Sequence, residues 1–175
     1  KLPRQKVNLF FEDVNLFRSE GDGYELVGSV DDKDYRKIVN IVKKEGDKST
    51  PIGKFKLNRI FYRPDRIKKF NCKVKKIKIK KNMGWCDEPI SKKYNRLIKT
   101  SNKIKHEKLY RRDNKYDILI ELDYNLKKII PFAGSAIFLH LTKNYKPTAG
   151  CIAINLNDMR ILIKILDKNN LIEIS

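Results

Sequence analysis

Residues that build metal centres and disulfide frameworks are scarce in this sequence. There are two histidines, His106 and His140, and three cysteines, Cys72, Cys86 and Cys151, with no spacing typical of a zinc site. An odd number of cysteines leaves at least one free thiol, and spacing alone leaves open whether Cys72 and Cys86 pair. We therefore expect no metal and no cofactor.

Long apolar runs are also absent. No stretch of the 175 residues approaches the roughly 20 consecutive apolar residues of a transmembrane helix. The first five residues lack the apolar region of a secretory signal, so they do not give the compartment. With 41% apolar residues the chain can bury a core of its own, and we predict one domain over residues 1–175.

Acidic residues are few relative to basic ones. The chain has 21 Asp and Glu against 40 Lys and Arg, a net charge of +19, which attracts polyanions. Residues 54–81 hold 13 basic residues and one acidic residue, Asp65. This segment fits either a solvated sheet face in a lysine-rich chain or a surface that faces a polyanion. Because specific base and phosphate recognition uses arginine, which is the minority here, we expect no specific nucleic-acid partner.

The apolar pattern predicts a mostly β protein with one helix near its C-terminal end. Met159, Leu162, Ile163 and Leu166 recur at helical spacing, and Asn157 is the predicted cap of that helix. Gly and Pro indicate a turn at 21–23 and loops at 45–53 and 84–89. Residues 1 to about 20 resemble an arm or an edge strand, and 31–44 are ambiguous. Further strands are predicted at 24–30, 54–62, 74–80, 116–124, 135–141, 151–154 and 171–174.

One pair of residues has the chemistry of a nucleophilic enzyme. His140 ends an apolar strand and Cys151 begins the next, which predicts a hairpin-like arrangement around the polar loop between them. An imidazole near a thiol can accept its proton, and Gly150 allows a tight turn whose N–H groups face a developing oxyanion. The pair alone is a weak signal, because a cysteine after glycine at a strand start is more often a packed thiol.

Nine segments, however, resemble the YkuD-like L,D-transpeptidases in the order in which that family has them. The last of them, Pro-Thr-Ala-Gly-Cys at 147–151, resembles the branch with a Thr-Ala-Gly-Cys nucleophile motif. Residues 1–43 match the family weakly. The matching segments are 44–55, 61–66, 84–89, 94–95, 110–113, 116–117, 122–125, 134–140 and 147–151.

The resemblance implies a β-sandwich catalytic domain in which Cys151 is the nucleophile and His140 its base. It implies an acyl-enzyme formed with peptidoglycan stem peptides and passed to an amine acceptor, either another stem or an acceptor protein. It further implies a periplasmic or cell-envelope location, a role in wall biogenesis and cell shape, and acylation by carbapenems.

Other residues in the matching segments are candidates for substrate contact. Arg111 and Arg112 fit a stem carboxylate, although an ion pair with Asp113 or Asp117 explains them as well. Trp85 and Tyr94 are either walls of the cleft or core aromatics. Ser135 and Thr148 either contact substrate or shape strand ends.

Two departures keep other functions open. The better-known members carry Ser-His-Gly-Cys, whereas here Ala149 stands two residues before Cys151, and Ile152 follows it. The acceptor is therefore uncertain, and hydrolysis by water would make the protein an L,D-carboxypeptidase. A basic nucleic-acid-binding or wall-binding module without catalysis is the remaining alternative.

Overall fold

The computed structural model describes residues 7–11, 14–16, 43–100, 103–142 and 147–175, and for the first two ranges only the backbone. These ranges contain eleven strands and one helix. In chain order the elements are β1 Val7–Phe11, β2 Val14–Leu16, β3 Gly53–Tyr62, β4 Lys75–Lys78, β5 Met83–Cys86, β6 Leu97–Lys99, β7 His106–Lys108, β8 Ile118–Leu122, β9 Phe138–Leu141, β10 Ile152–Ile154, α1 Leu156–Ile165 and β11 Leu171–Ile174.

Eight strands form one large sheet around the long strand β3. The order is β10-β9-β8-β3-β11-β1-β2, and β4 also pairs with β3. A register shift between Leu57 and Ile60 divides β3 into two halves. Its first half lies beside β11 and its second half beside β4, so β3 belongs to both parts of the sheet.

The central strands are buried on both faces, because their alternate side chains enter two separate cores. On β8, Ile118, Ile120 and Leu122 pack in the core that α1 covers. Leu119 points the other way, into a second core that includes Trp85 of β5. The protein is therefore mostly β, as predicted, and its layers are consistent with a β-sandwich.

A second, three-stranded sheet has the order β6-β5-β7. Its central strand, β5, contradicts the first half of the loop predicted at residues 84–89, whereas residues 87–89 lie outside the strands. Gly84 is buried within β5, where an added Cβ would lie 2.6 Å from the His106 ring. The glycine is thus explained by close packing between neighbouring strands rather than by a turn.

The predicted helix is present, and its cap is two residues earlier than expected. Asn155, not Asn157, is the cap, and its side chain accepts a 2.9 Å hydrogen bond from the N–H of Asp158. Two asparagines flank Leu156, and the later one was predicted because the apolar repeat begins just after it. Capping at Asn155 lets Leu156 pack against the core.

The hairpin predicted between His140 and Cys151 is wrong. Strands β9 and β10 pair in parallel, with Ala153 opposite His140, so the chain crosses back between them. The strands predicted at 74–80, 116–124, 135–141 and 151–154 are confirmed with shorter bounds. The strand at 171–174 has the predicted bounds, and the one predicted at 54–62 begins one residue earlier, at Gly53. Residues 7–11 and 14–16 supply the strands β1 and β2 at the end of the sheet. The predictions at 21–23 and 24–30 lie outside the described residues.

Candidate active site

The parallel pairing places His140 and Cys151 on one face of two adjacent strands. Residue 153 of β10 lies opposite His140, and Cys151 stands two residues before it, immediately ahead of β10. Side chains two residues apart on a strand share a face, so Cys151 and His140 are diagonal neighbours. Cys151 accordingly packs against the core that contains Phe138 and Tyr116.

The turn before the cysteine requires glycine. Gly150 has φ +114°, and an added Cβ would lie 2.5 Å from the carbonyl oxygen of Ser49. Thr148 closes the same turn, since its hydroxyl donates to the carbonyl of Cys151 at 2.5 Å and accepts from the Gly150 N–H at 3.3 Å. Thr148 therefore shapes the nucleophile loop, and the loop at 43–53 packs directly against it.

The imidazole of His140 is neutral, and one hydrogen bond fixes its tautomer. Its Nδ1 lies 2.9 Å from the carbonyl oxygen of Leu141, and because a carbonyl only accepts, Nδ1 carries the proton. This tautomer leaves Nε2 as the acceptor. Burial of the ring, which is 5% exposed, lowers its pKa below the ordinary 6.5.

Cys151 is a protonated thiol at neutral pH. Burial raises the pKa of its sulfur to about 11, although the N–H of Phe138 and the hydroxyl of Tyr116 lower it by hydrogen bonding. The thiol donates to the carbonyl oxygen of Ala136 at 3.2 Å. Ala136 has φ +54°, which is unfavourable for a residue with a Cβ and marks a strained turn beside the sulfur.

Tyr116 connects the histidine, the cysteine and an acidic group. Its ring centroid lies 5.3 Å from that of His140, and the guanidinium of Arg111 lies 4.9 Å over its ring. Burial raises the pKa of its hydroxyl, and the neighbouring Cys151 and Glu107 raise it further. Glu107 in turn accepts a 2.9 Å hydrogen bond from Arg111.

The two arginines predicted to bind a carboxylate have different surroundings. Arg111 is engaged by Glu107 and by Asp113, which its Nη2 contacts at 2.7 Å and which raises the pKa of the guanidinium. The sequence left two explanations for Arg111, binding of a stem carboxylate or an ion pair with a nearby aspartate, and the structure contains the ion pair with Asp113. The side chain of Arg112 is exposed, while its carbonyl accepts from Arg66.

Trp85 lies behind the candidate site rather than on its surface. It is 1% exposed and packs edge-on against Phe61 and Phe138. Its Nε1 donates to Asn95 Oδ1 at 2.8 Å, and the same oxygen accepts from the N–H of Ala136. Asn95 thereby holds the strained turn whose carbonyl accepts from Cys151.

Tyr94 and Ser135 are also buried. The Tyr94 hydroxyl donates to Glu45 of the 43–53 loop, and burial together with that carboxylate raises its pKa. Ser135 is close enough to Tyr94 to influence that pKa. Its hydroxyl nevertheless makes no hydrogen bond of good geometry among the described residues. Contact of either residue with substrate stays a prediction.

Sequence reasoning missed Glu107, Tyr116 as a partner of the thiol, and Lys43. The Lys43 side chain lies against Gly134, where an added Cβ would be 3.1 Å from its Cγ, and its charge lowers the pKa of Cys151 against the larger effect of burial. No sequence signal connects these residues to Cys151, since all three come from distant segments. In the described part of the chain no group of acidic, histidine and cysteine side chains could hold a metal ion.

A β domain that presents a neutral histidine and a cysteine on adjacent strands has the components of a cysteine acyltransferase. The chain matches the family model of the YkuD L,D-transpeptidase catalytic domain over residues 24–174. It therefore belongs to the YkuD family, whose members act on peptidoglycan stem peptides. The match begins at residue 24, so residues 1–23 lie outside it.

A search among curated proteins and a search among solved structures gave no match. None of the helices in the described ranges is long and apolar enough to cross a membrane.

Proposed function

We propose that this protein is an L,D-transpeptidase that forms a thioester between Cys151 and a peptidoglycan stem peptide and transfers the acyl group to an amine. The observation that carries the proposal is the neutral imidazole of His140, fixed by Leu141 on the strand next to Cys151. Since its Nδ1 is engaged, only Nε2 is available to accept a proton from the thiol.

The reaction follows from these two groups. The proton of Cys151 moves to Nε2 of His140 as the sulfur bonds to the carbonyl carbon between an L-configured centre and D-Ala. The C–N bond then breaks, and His140 returns the proton to the departing amine. An incoming amine attacks the thioester carbonyl carbon and gives a proton to His140. The C–S bond then breaks, and His140 returns that proton to the sulfur.

Backbone donors around Gly150 and Cys151 are proposed to stabilise the oxyanion. The Gly150 N–H now makes a long bond of 3.3 Å to Thr148, which an oxyanion can displace. We assign Tyr116 and Arg111 to positioning the sulfur, because Arg111 is already engaged by two carboxylates. Arg112, with an exposed side chain, is the better candidate for a stem carboxylate.

We place the protein outside the cytoplasm, in the cell envelope, with peptidoglycan stems as donors. The acceptor is a stem amine or the amine of an acceptor protein. The alternative acceptor is water, which would make the protein an L,D-carboxypeptidase using the same acyl-enzyme.

The test is intact-protein mass spectrometry after incubation with a carbapenem. The unmodified protein should gain one adduct, and both Cys151→Ala and His140→Ala should fail to do so on the same time scale. The matched control is Cys72→Ala, which removes a half-buried thiol outside the candidate site and should leave the adduct in place.

A second incubation separates the two acceptors. A soluble stem tetrapeptide should give a cross-linked product when an amine acceptor is present, and free tripeptide would indicate hydrolysis. A chain that forms no adduct, while small alkylating agents still reach Cys151, would refute the proposed catalysis.

A further inference from the structure

The positive charge of this protein is concentrated in one segment, which contains β3, β4 and the loop between them. Residues 54–81 carry 13 basic residues and one acidic residue, which is +12 of the net +19. From residue 66 to residue 86 there is no Asp or Glu. The eight lysines between residues 68 and 81 are all exposed, and we call them the basic edge.

Within the described residues, no acidic side chain neutralises the lysines of the basic edge. Across the ranges that the structure describes, none of the eight takes part in an ion pair. Only Lys76 has a local role, since its Nζ donates to the carbonyl of Phe70 and lies 5.2 Å from that ring. The arginines of the same segment behave differently, because Arg59, Arg63 and Arg66 pair with acidic residues.

The register of the sheet connects the basic edge to the candidate active site. His140 lies opposite Leu119, Leu119 opposite Phe61, and Phe61 opposite Ile77 of β4. These residues form one row across four adjacent strands, so β4 is three strand spacings, about 14 Å, from His140. An extended polymer bound at the active site can therefore reach the basic edge.

We propose that the basic edge binds the free carboxylates of peptidoglycan next to the stem peptide that Cys151 attacks. The proposal rests on the proposed action on peptidoglycan and adds a binding surface outside the catalytic site. Unpaired lysines suit such a partner, because they are hydrated point charges that attract many anions without fixing the geometry of any one. Arginines that could recognise a specific anion are occupied in this segment.

The experiment compares two variants with the same loss of charge. One replaces four lysines of the basic edge whose side chains form no hydrogen bond or ion pair with the described residues. The control replaces four exposed lysines elsewhere. The edge variant carries Lys73→Gln, Lys75→Gln, Lys78→Gln and Lys81→Gln, and the control carries Lys92→Gln, Lys128→Gln, Lys164→Gln and Lys168→Gln.

Sedimentation with purified sacculi at several salt concentrations gives the affinity. The edge variant should bind about tenfold more weakly at low salt and with a shallower salt dependence, whereas the control should bind nearly as the unmodified protein does. Amidation of the carboxylates of the sacculi should weaken binding of the unmodified protein to a similar extent. Turnover of a soluble stem peptide should be the same in all three proteins.

Several results would overturn the inference. If both variants lose the same affinity for sacculi, binding depends on net charge and not on the basic edge. If the edge variant binds as tightly as the unmodified protein, the lysines serve instead to prevent edge-to-edge pairing of β4. Tighter binding to a DNA duplex than to sacculi at the same salt, lost in the edge variant, would point to nucleic acid instead. The proposed function is tested separately. If the unmodified protein does not turn over the soluble peptide but still binds sacculi through the basic edge, the proposed function is contradicted and the binding surface is not.

Discussion

The ionisation state of Cys151 gives the sharpest test of the site. Burial raises the pKa of this thiol from 9.0 to about 11. At pH 7 about one molecule in ten thousand then carries a thiolate, roughly a hundredfold fewer than for an ordinary thiol of pKa 9. Since only the thiolate reacts with iodoacetamide, alkylation of Cys151 should be slow at neutral pH and should still accelerate above pH 9.

Peptide-resolved mass spectrometry can follow this reaction at each pH. Cys72 is an internal reference, because it is half-buried, whereas Cys86 is fully buried and should react last. His140→Ala should leave the alkylation profile of Cys151 almost unchanged, since the resting histidine is neutral and does not pair with a thiolate. A rate that levels off below pH 8, and that falls in His140→Ala, would refute this reasoning by revealing a preformed thiolate–imidazolium pair.

Three further outcomes follow from the same geometry. The rate of acylation should fall only below about pH 6.5, because burial lowers the pKa of His140 and protonation removes the base. A rate that already falls near pH 7 or higher would contradict this. Gly150→Ala should destabilise the protein by about 2–4 kcal/mol in urea unfolding, given positive φ and a Cβ against Ser49, whereas Gly46→Ala, with open space, should cost about 1 kcal/mol. Tyr116→Phe should slow carbapenem acylation about tenfold and raise the alkylation pKa of Cys151, and an unchanged pKa would exclude the hydroxyl as its partner.

Much of the large sheet could be predicted because its strands alternate or form short apolar runs. Strand β8 is a run of five buried residues, and β3 is bounded by a loop that Gly and Pro mark clearly. The helix was recognisable because Met159, Leu162 and Ile163 keep helical spacing and all are buried. In each case one local pattern coincides with the face that the fold buries.

The errors arise where a local pattern has two physical explanations. Residues 84–89 were predicted to be a loop, yet Gly84 lies in β5, where the ring of His106 occupies the space of a side chain. The segment between β9 and β10 looked like a hairpin loop, although a parallel crossover of the same length joins the strands. A glycine in the sequence fits a loop or a closely packed strand, and a loop of this length fits a hairpin or a parallel connection. Only the position of the neighbouring strand distinguishes them.

The sequence predicted the two central residues of the candidate site and not the residues that surround them. The Cys151 and His140 candidates came from a motif, but Glu107, Tyr116 and Asn95 approach them only after three separate segments pack together. Asn95 illustrates the limit, because its side chain bonds Trp85, Ala136 and the turn at 124–125, which are separate parts of the sequence. A sequence lists such residues in order and gives no sign of which ones converge.

The opposite shifts of the two pKa values at the site have one common cause and one consequence. Burial favours the neutral form of each group, which lowers the pKa of His140 and raises that of Cys151. An ion pair between the two groups would have to overcome desolvation of both partners, so the proton stays on sulfur until the attack on a carbonyl begins. Such a site keeps its thiol unreactive toward small electrophiles. In the proposed reaction the attack therefore depends on a substrate bound beside the Gly150 turn, with the sulfur positioned by Tyr116.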